Sequence, residues 1–320
     1  MSPKCPRLST LILSGNTLKS IPDCFFTQMR GLRTLNLSGT SIQYLPNSIS
    51  DLENLRTLLL RLCHNLKSVP TLEKLRLLTR LDLAYTEIEE VPKGVESLTN
   101  LKVLDLDCPL SMIPTGVLHR LSLLQQLNLP DHIGVPIEEV EALKQLEVFR
   151  GSVNSVCDLN RLITFLQSIG TLSFYSIALT PKFSGNTFGE QSPSKLVAFE
   201  QNSLMDSSLG EGKILLPRDT ETLIFSSSGL SSSLVDGFQM LNNARYVKKC
   251  NVYCEDEIEC IIRLSSTEEQ SRGVLFQSLE ELLLYGLPNF IGLFMWEGEA
   301  AAAPLLPGIF SQLIHLRISQ

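Results

Sequence analysis

From Leu8 to Arg150 one apolar pattern returns every 22 to 24 residues, and few folds accept a chain with that period. Starting at Leu32 it reads LRTLNLSGTSIQYLPNSISDLEN, then LRTLLLRLCHNLKSVPTLEKLRL from Leu55, LTRLDLAYTEIEEVPKGVESLTN from Leu78 and LKVLDLDCPLSMIPTGVLHRLSL from Leu101. The shared form is L-x-x-L-x-L-x-x-[N/T/C]-x-[L/I]-x-x-[L/I/V]-P, with further copies starting at Leu8, Leu124 and Leu146. A single copy cannot bury its first, fourth and sixth residues alone. Stacked copies can, each leucine packing on the same position one turn away, so the pattern implies a solenoid.

This length and spacing are those of a leucine-rich repeat. The expected fold class is therefore α/β: a solenoid with a curved parallel sheet on the concave face and short helices or 3-10 turns on the convex face. Position nine (Asn16, Thr40, Cys63, Thr86, Asn154) falls where the chain leaves the strand, and a small polar or thiol side chain there can satisfy backbone groups stripped of partners by the bend. Pro109 and His132 interrupt the ladder. The prolines Pro22, Pro46, Pro70, Pro92, Pro114 and Pro136 lie on the return segment, where fixed φ suits a backbone that needs no ladder donor. A short apolar spacing after them, such as Ile49 to Leu52, predicts one helical turn.

The domain reading is residues 1–179 as regular repeats, 180–219 as an irregular insertion and 220–320 as longer, degenerate repeats that break off at the C-terminus. After Arg150 the period weakens. LNRLITFLQSI has helical spacing through Leu159, Leu162, Leu166 and Ile169, and Ile169, Leu172 and Phe174 predict a strand. Residues 180–209 turn to Ser, Gly, Asn and Pro, with Leu196 to Phe199 a weak turn inside them. Later strands are expected at 220–225, 247–252, 279–284 and 313–318. A repeat strand starts close to Met1 and another stops close to Gln320, which suggests a piece of a longer protein.

Composition narrows the function. Against 27 basic side chains stand 34 acidic ones, a net charge of −7, which is not the profile of a nucleic-acid binder. No run of 18 apolar residues occurs, so no membrane span is expected. The eight cysteines are scattered, which fits a reducing compartment. The sequon at Asn36 lies on a strand. Chemistry is sparse: H-E-x-x-H, G-x-S-x-G and G-x-G-x-x-G are absent, so no enzyme is expected. His64, His119, His132 and His315 fall in different repeats. Cys250, Cys254 and Cys260 lack the close second pair of a tetrahedral metal site, so neither a metal nor a resident cofactor is expected. The acidic run Cys254-Glu255-Asp256-Glu257 reads as a solvated turn.

What remains is a surface. Equal repeat positions in a parallel stack sit ~4.8 Å apart, so positions two, three, five and seven build columns. They place Arg33 and Arg56, with Lys102 two turns on, beside Arg80, Asp82 with Asp105, Arg61 and Asp107. The reading is a basic strip (Arg33, Arg56, Arg61, Arg80) facing an acidic one, a charged docking patch for a protein partner.

The runs PKCPRLSTLILSGN, LNLSGTSIQYLPNSISDLENLRTLLLRLCHNLKSVP, CNVYCEDEIECII and FQSLEELLLYGLPNF resemble the leucine-rich-repeat region of plant intracellular disease-resistance proteins, the coiled-coil, nucleotide-binding-site class. The resemblance implies a cytoplasmic module for protein recognition and autoregulation in innate immunity. Its implied partners are the receptor's own nucleotide-binding domain and a pathogen effector or guarded host protein. ATP or ADP is expected only in that other domain, since no G-x-x-x-x-G-K-[S/T] loop occurs here. A general intracellular scaffold or adaptor, or an extracellular receptor ectodomain, would carry the same repeat.

Overall fold

The computed structural model describes residues 4–180, 195–200, 203–204, 213–265, 278–297 and 311–319. They form two compact units, Met1–Ser152 with Ile169–Ser173, and Val153–Ser168 with Phe174–Gln320.

The first unit is a ladder of short parallel strands: β1 (Thr10–Ile12), β2 (Thr34–Asn36), β3 (Thr57–Leu59), β4 (Arg80–Asp82), β5 (Val103–Asp105), β6 (Gln126–Asn128) and β7 (Val148–Val153). The register is the one the repeat spacing dictates. Leu35, Leu58, Leu81, Leu104, Leu127 and Phe149 follow one another across the ladder, and all are fully buried. So are Leu37, Leu60, Leu83, Leu106 and Leu129 two residues on. Each such side chain contributes about 1.5–3 kcal/mol by leaving water, which makes these two columns the main hold on the stack.

Position two has its own geometry. The Arg33 carbonyl accepts hydrogen bonds from both the Arg56 and Thr57 amides (2.7 and 3.0 Å), and those of Arg56, Thr79, Lys102 and Gln125 repeat the pattern. This shared acceptor marks where the chain turns into the strand, so position two stands at the strand's N-terminal edge, outside the pleat alternation. Position eight is left-handed: Gly15, Gly39, Leu62 and Tyr85 all have φ between 56° and 70°. Their amides donate to Ser38, Arg61, Ala84 and Asp107, so the ladder holds even the two non-glycine residues there.

Position nine behaves as expected at Thr40, Cys63 and Thr86. The hydroxyls of Thr40 and Thr86 donate to the Leu37 and Leu83 carbonyls at 2.8 Å, and the Cys63 thiol also reaches Leu37. The return segments carry 3-10 turns at Asn47–Asp51, Val95–Ser97 and Leu118–Arg120 and a single α-turn, α1 (Ile137–Val140). Pro46 and Pro136 immediately precede two of them with φ −69°, where no ladder donor is required. Glu139 on α1 is buried, and its carboxylate accepts from the Gly116 and His119 amides one repeat earlier.

In the second unit, α2 (Val156–Ile169) buries Leu159, Leu162, Ile163, Phe165 and Leu166. It starts at a serine N-cap. The Ser155 hydroxyl accepts from the Asp158 amide (3.1 Å) and donates to the Asp158 carboxylate (2.8 Å). The strand expected from Ile169 is displaced: Ile169 ends the helix, and β8 runs from Phe174 to Leu179. Next come β9 (Lys195–Glu200), β10 (Ile214–Leu215), β11 (Thr222–Ser226), α3 (Leu234–Gln239), β12 (Leu241–Asn242) and β13 (Lys249–Tyr253). The chain continues through β14 (Cys260–Ser265), β15 (Glu281–Tyr285), β16 (Gly292–Glu297) and β17 (His315–Ser319).

The main ladder of this unit runs β8-β9-β11-β13-β15-β17, all parallel. Between its members, β10 pairs with β12 and β14 with β16, so the return segments here include parallel strands and not only helical turns. Much of the stretch read as an insertion lies outside the described residues, but β9 within it is a full six-residue rung of the ladder.

The late acidic turn is corrected as well. Glu255 is 1% exposed. Its carboxylate accepts from the Ser228 amide (2.6 Å), the Ser228 hydroxyl (2.7 Å), the Gly229 amide (3.1 Å) and the Leu230 amide (3.3 Å). Positive φ at Ser227 (48°) and Gly229 (83°) shapes the turn that carries these successive amides. A buried carboxylate is stable only when so satisfied.

Candidate functional site

In the first unit, positions three, five and seven of each strand point away from the buried leucines. This face gathers a dense charged cluster. Asp82 and Asp105 are register partners on β4 and β5. The Arg80 guanidinium lies 3.7 Å from Asp82, and that of Arg61 lies 4.0 Å from Asp105. Asn128 Nδ2 donates to Asp105 Oδ2 at 2.8 Å. Arg61 also covers the Tyr85 ring, its guanidinium carbon 4.5 Å from the centroid. Asp107 faces Arg150 at 3.3 Å.

The aspartates are well sunk, the side chains of Asp82, Asp105 and Asp107 being 8%, 11% and 14% exposed. Burial, followed by the Asp105 carboxylate, pushes Asp82 above the usual carboxylate range, against the Ala84 amide and the guanidinium groups of Arg61 and Arg80. Burial also raises Asp107, with Asp105 and Asp131 adding to it, while Arg150 and the Tyr85 hydroxyl oppose.

Of the expected residues, the structure brings together Arg61, Arg80, Asp82, Asp105 and Asp107. Arg33, Arg56 and Lys102 stay apart, exposed at position two. The four arginines therefore do not form one basic strip. Arg61 and Arg80 sit among carboxylates, and only Arg33 and Arg56 share a column. The sequence reading missed Tyr85, Asn128, Asp131 and Arg150. Arg150 and Asn128 were within reach, because both occupy position five counted from Leu146 and Leu124.

Nothing in this arrangement supplies a nucleophile with an adjacent base. The Cys108 thiol is pushed up to about 12, mainly by burial, and Cys250 is raised by burial alone, so both are poor thiolates. Among the described residues, no group of three or more His, Cys, Asp or Glu could hold a metal ion. No helix among them is long and apolar enough to cross a membrane.

A ladder of one-strand repeats with buried leucine columns and an open polar strand face is the leucine-rich-repeat solenoid fold. The family described as Leucine rich repeat matches residues 6–64. Two proteins of Arabidopsis thaliana, one named a probable disease resistance protein and one a disease resistance protein, are 46% identical over 66 residues and 44% identical over 73. These matches cover 20% and 22% of this chain, and each spans only 7% of the relative's length. The crystal structure of an internalin from Listeria monocytogenes is similar with a TM-score of 0.56 at 13% identity, covering 97% of this chain and 86% of that one. That likeness shows the fold alone.

Proposed function

We propose that this chain is the protein-recognition and autoregulatory repeat region of a plant innate immune receptor, working in the cytoplasm. The observation that carries the reading is the 46% identity to a probable disease resistance protein, since the repeat fold by itself serves many partners. The charged strand face is the part fitted to recognition. Its side chains stand on rigid strands, are held by one another, and sit in a half-dried setting where a partner's matching charge gains more than in open water. Nucleotide chemistry would belong to a separate domain binding ATP or ADP, which the repeats would hold in its resting state. A pathogen effector or a guarded host protein would compete for the same surface.

The test is to express this chain in leaf tissue beside the nucleotide-binding domain encoded with it, and to read co-precipitation across ionic strength together with cell death. Association that weakens as salt rises, and cell death released by Arg61→Glu with Asp105→Lys, supports the reading. No association at any salt concentration, with the fold intact, rejects it.

A further inference from the structure

A second charged surface lies outside the strand-face cluster. Arg33, Arg56 and Lys102 at position two are exposed, and so are Arg30 and Arg76, three residues before positions two of β2 and β4. The stacking that aligns position two also aligns this outer row: Asn54 Nδ2 donates to the Arg30 carbonyl (2.9 Å) and Asn100 Nδ2 to that of Arg76 (2.8 Å), each from one repeat further on. Five exposed cations thus share the N-terminal edge of β2 to β5 with a single exposed acid, Glu53, in a chain whose net charge is −7. The nearby Asp51 is matched by Lys74 at 3.5 Å. The basic run then stops, because position two becomes Gln125 just before β6 and Glu147 just before β7, joined at 3.1 Å.

We propose that this edge docks an acidic, extended protein segment. The inference rests on reading the chain as a protein-recognition module. Three ladder steps of ~4.8 Å give an edge of ~14 Å, the length of four or five extended residues. Screening at physiological salt confines charge to ~8 Å, so the partner feels this edge and not the negative remainder. Leu77, 43% exposed beside Arg76, offers one apolar contact for a side chain of the segment. No aromatic residue stands among these cations to stack on bases, and one leucine is too little apolar surface to enter a bilayer.

The experiment uses the whole chain and a labelled peptide of about twelve residues, half of them Glu with one central Leu, followed by anisotropy from low to high NaCl. The expected result is salt-sensitive binding that falls about ten-fold or more in R33E/R56E/K102E, while the control K19E/K67E/K93E stays within about two-fold of the parent. If the reversal variant fails to fold by circular dichroism, R33Q/R56Q/K102Q replaces it and should also bind more weakly than the parent. Equal loss in edge and control variants, or no binding at low salt, overturns the proposal. It is likewise overturned if a single-stranded oligonucleotide or phosphatidylserine vesicles bind the edge more tightly than the peptide. No peptide binding by the parent chain while the nucleotide-binding domain still co-precipitates would remove the edge and leave the module reading standing; the reverse outcome would do the opposite.

Discussion

The buried carboxylate of Glu255 accepts both the amide and the hydroxyl of Ser228, 27 residues earlier, and so ties one repeat of the second unit to the one before it. Two further amides share the same carboxylate. Glu255→Gln puts an NH2 group against donors, and Glu255→Ala leaves all four unsatisfied. Either change should cost about 2 kcal/mol or more. Hydrogen exchange at the Ser228 and Leu230 amides, beside a urea melt, measures it. A loss under about 0.5 kcal/mol would mean that water satisfies these donors equally well.

Asp82 gives a pH dependence whose sign follows from its surroundings. Burial and Asp105 hold its native pKa above the ordinary 3.8. Between those two values the folded chain binds more proton than the unfolded chain, so stability falls as pH rises. This contribution is fully present below pH 3.8 and is lost as pH climbs through the raised native value. Asp82→Asn should remove that slope. Unfolding free energies of parent and variant across this window are the measurement, and parallel curves would show that Asp82 titrates normally.

How much of this could be read from the residues depends on regularity. In the first unit the spacing located Leu58, Leu81 and Leu104 in one column, because a one-residue slip would have turned every leucine outward. Position nine was legible for the same reason, since its chemistry is tied to a fixed bend. Asp131 was not, because it follows Pro130 in the repeat where the ladder is interrupted. The start of α2 was written in Ser155-Val156-Cys157-Asp158, where the serine caps the helix and pairs with Asp158, a signal that composition alone does not reveal. Glu255 was hidden differently: nothing local distinguishes it from its neighbours Asp256 and Glu257, and its burial comes from a turn 27 residues away.

Leu62 occupies a left-handed slot, φ 61°, that Gly15, Gly39 and Gly286 fill at equivalent positions. A left-handed leucine costs about 1 kcal/mol, while glycine gives back about 0.5–1 kcal/mol through the unfolded chain. Leu62→Gly should therefore be neutral to mildly stabilising. Leu62→Val, branched next to the backbone, should lose more than about 1 kcal/mol. Chemical denaturation of the three proteins checks the order Gly, Leu, Val; a valine variant as stable as the parent would show that the slot is not strained.

The buried column of β3 and the exposed residue at its N-terminal edge should respond very differently to substitution. Leu58 is fully buried between Leu35 and Leu81, whereas Arg56, two residues earlier, is exposed at the strand edge. Leu58→Asp places a charge with no partner into the leucine column, and the stack can neither hydrate it nor close over it. The cost should exceed about 3 kcal/mol and shift the urea midpoint or abolish folding of the first unit. Arg56→Ala trims a solvated side chain while its backbone keeps both ladder bonds, and should stay within about 0.5 kcal/mol of the parent. Because the repeats stack through these columns, the damage from Leu58→Asp should spread to protection of the Leu35 and Leu81 amides in hydrogen exchange, while Arg56→Ala leaves them unchanged. Equal midpoints for the two variants would contradict the register itself.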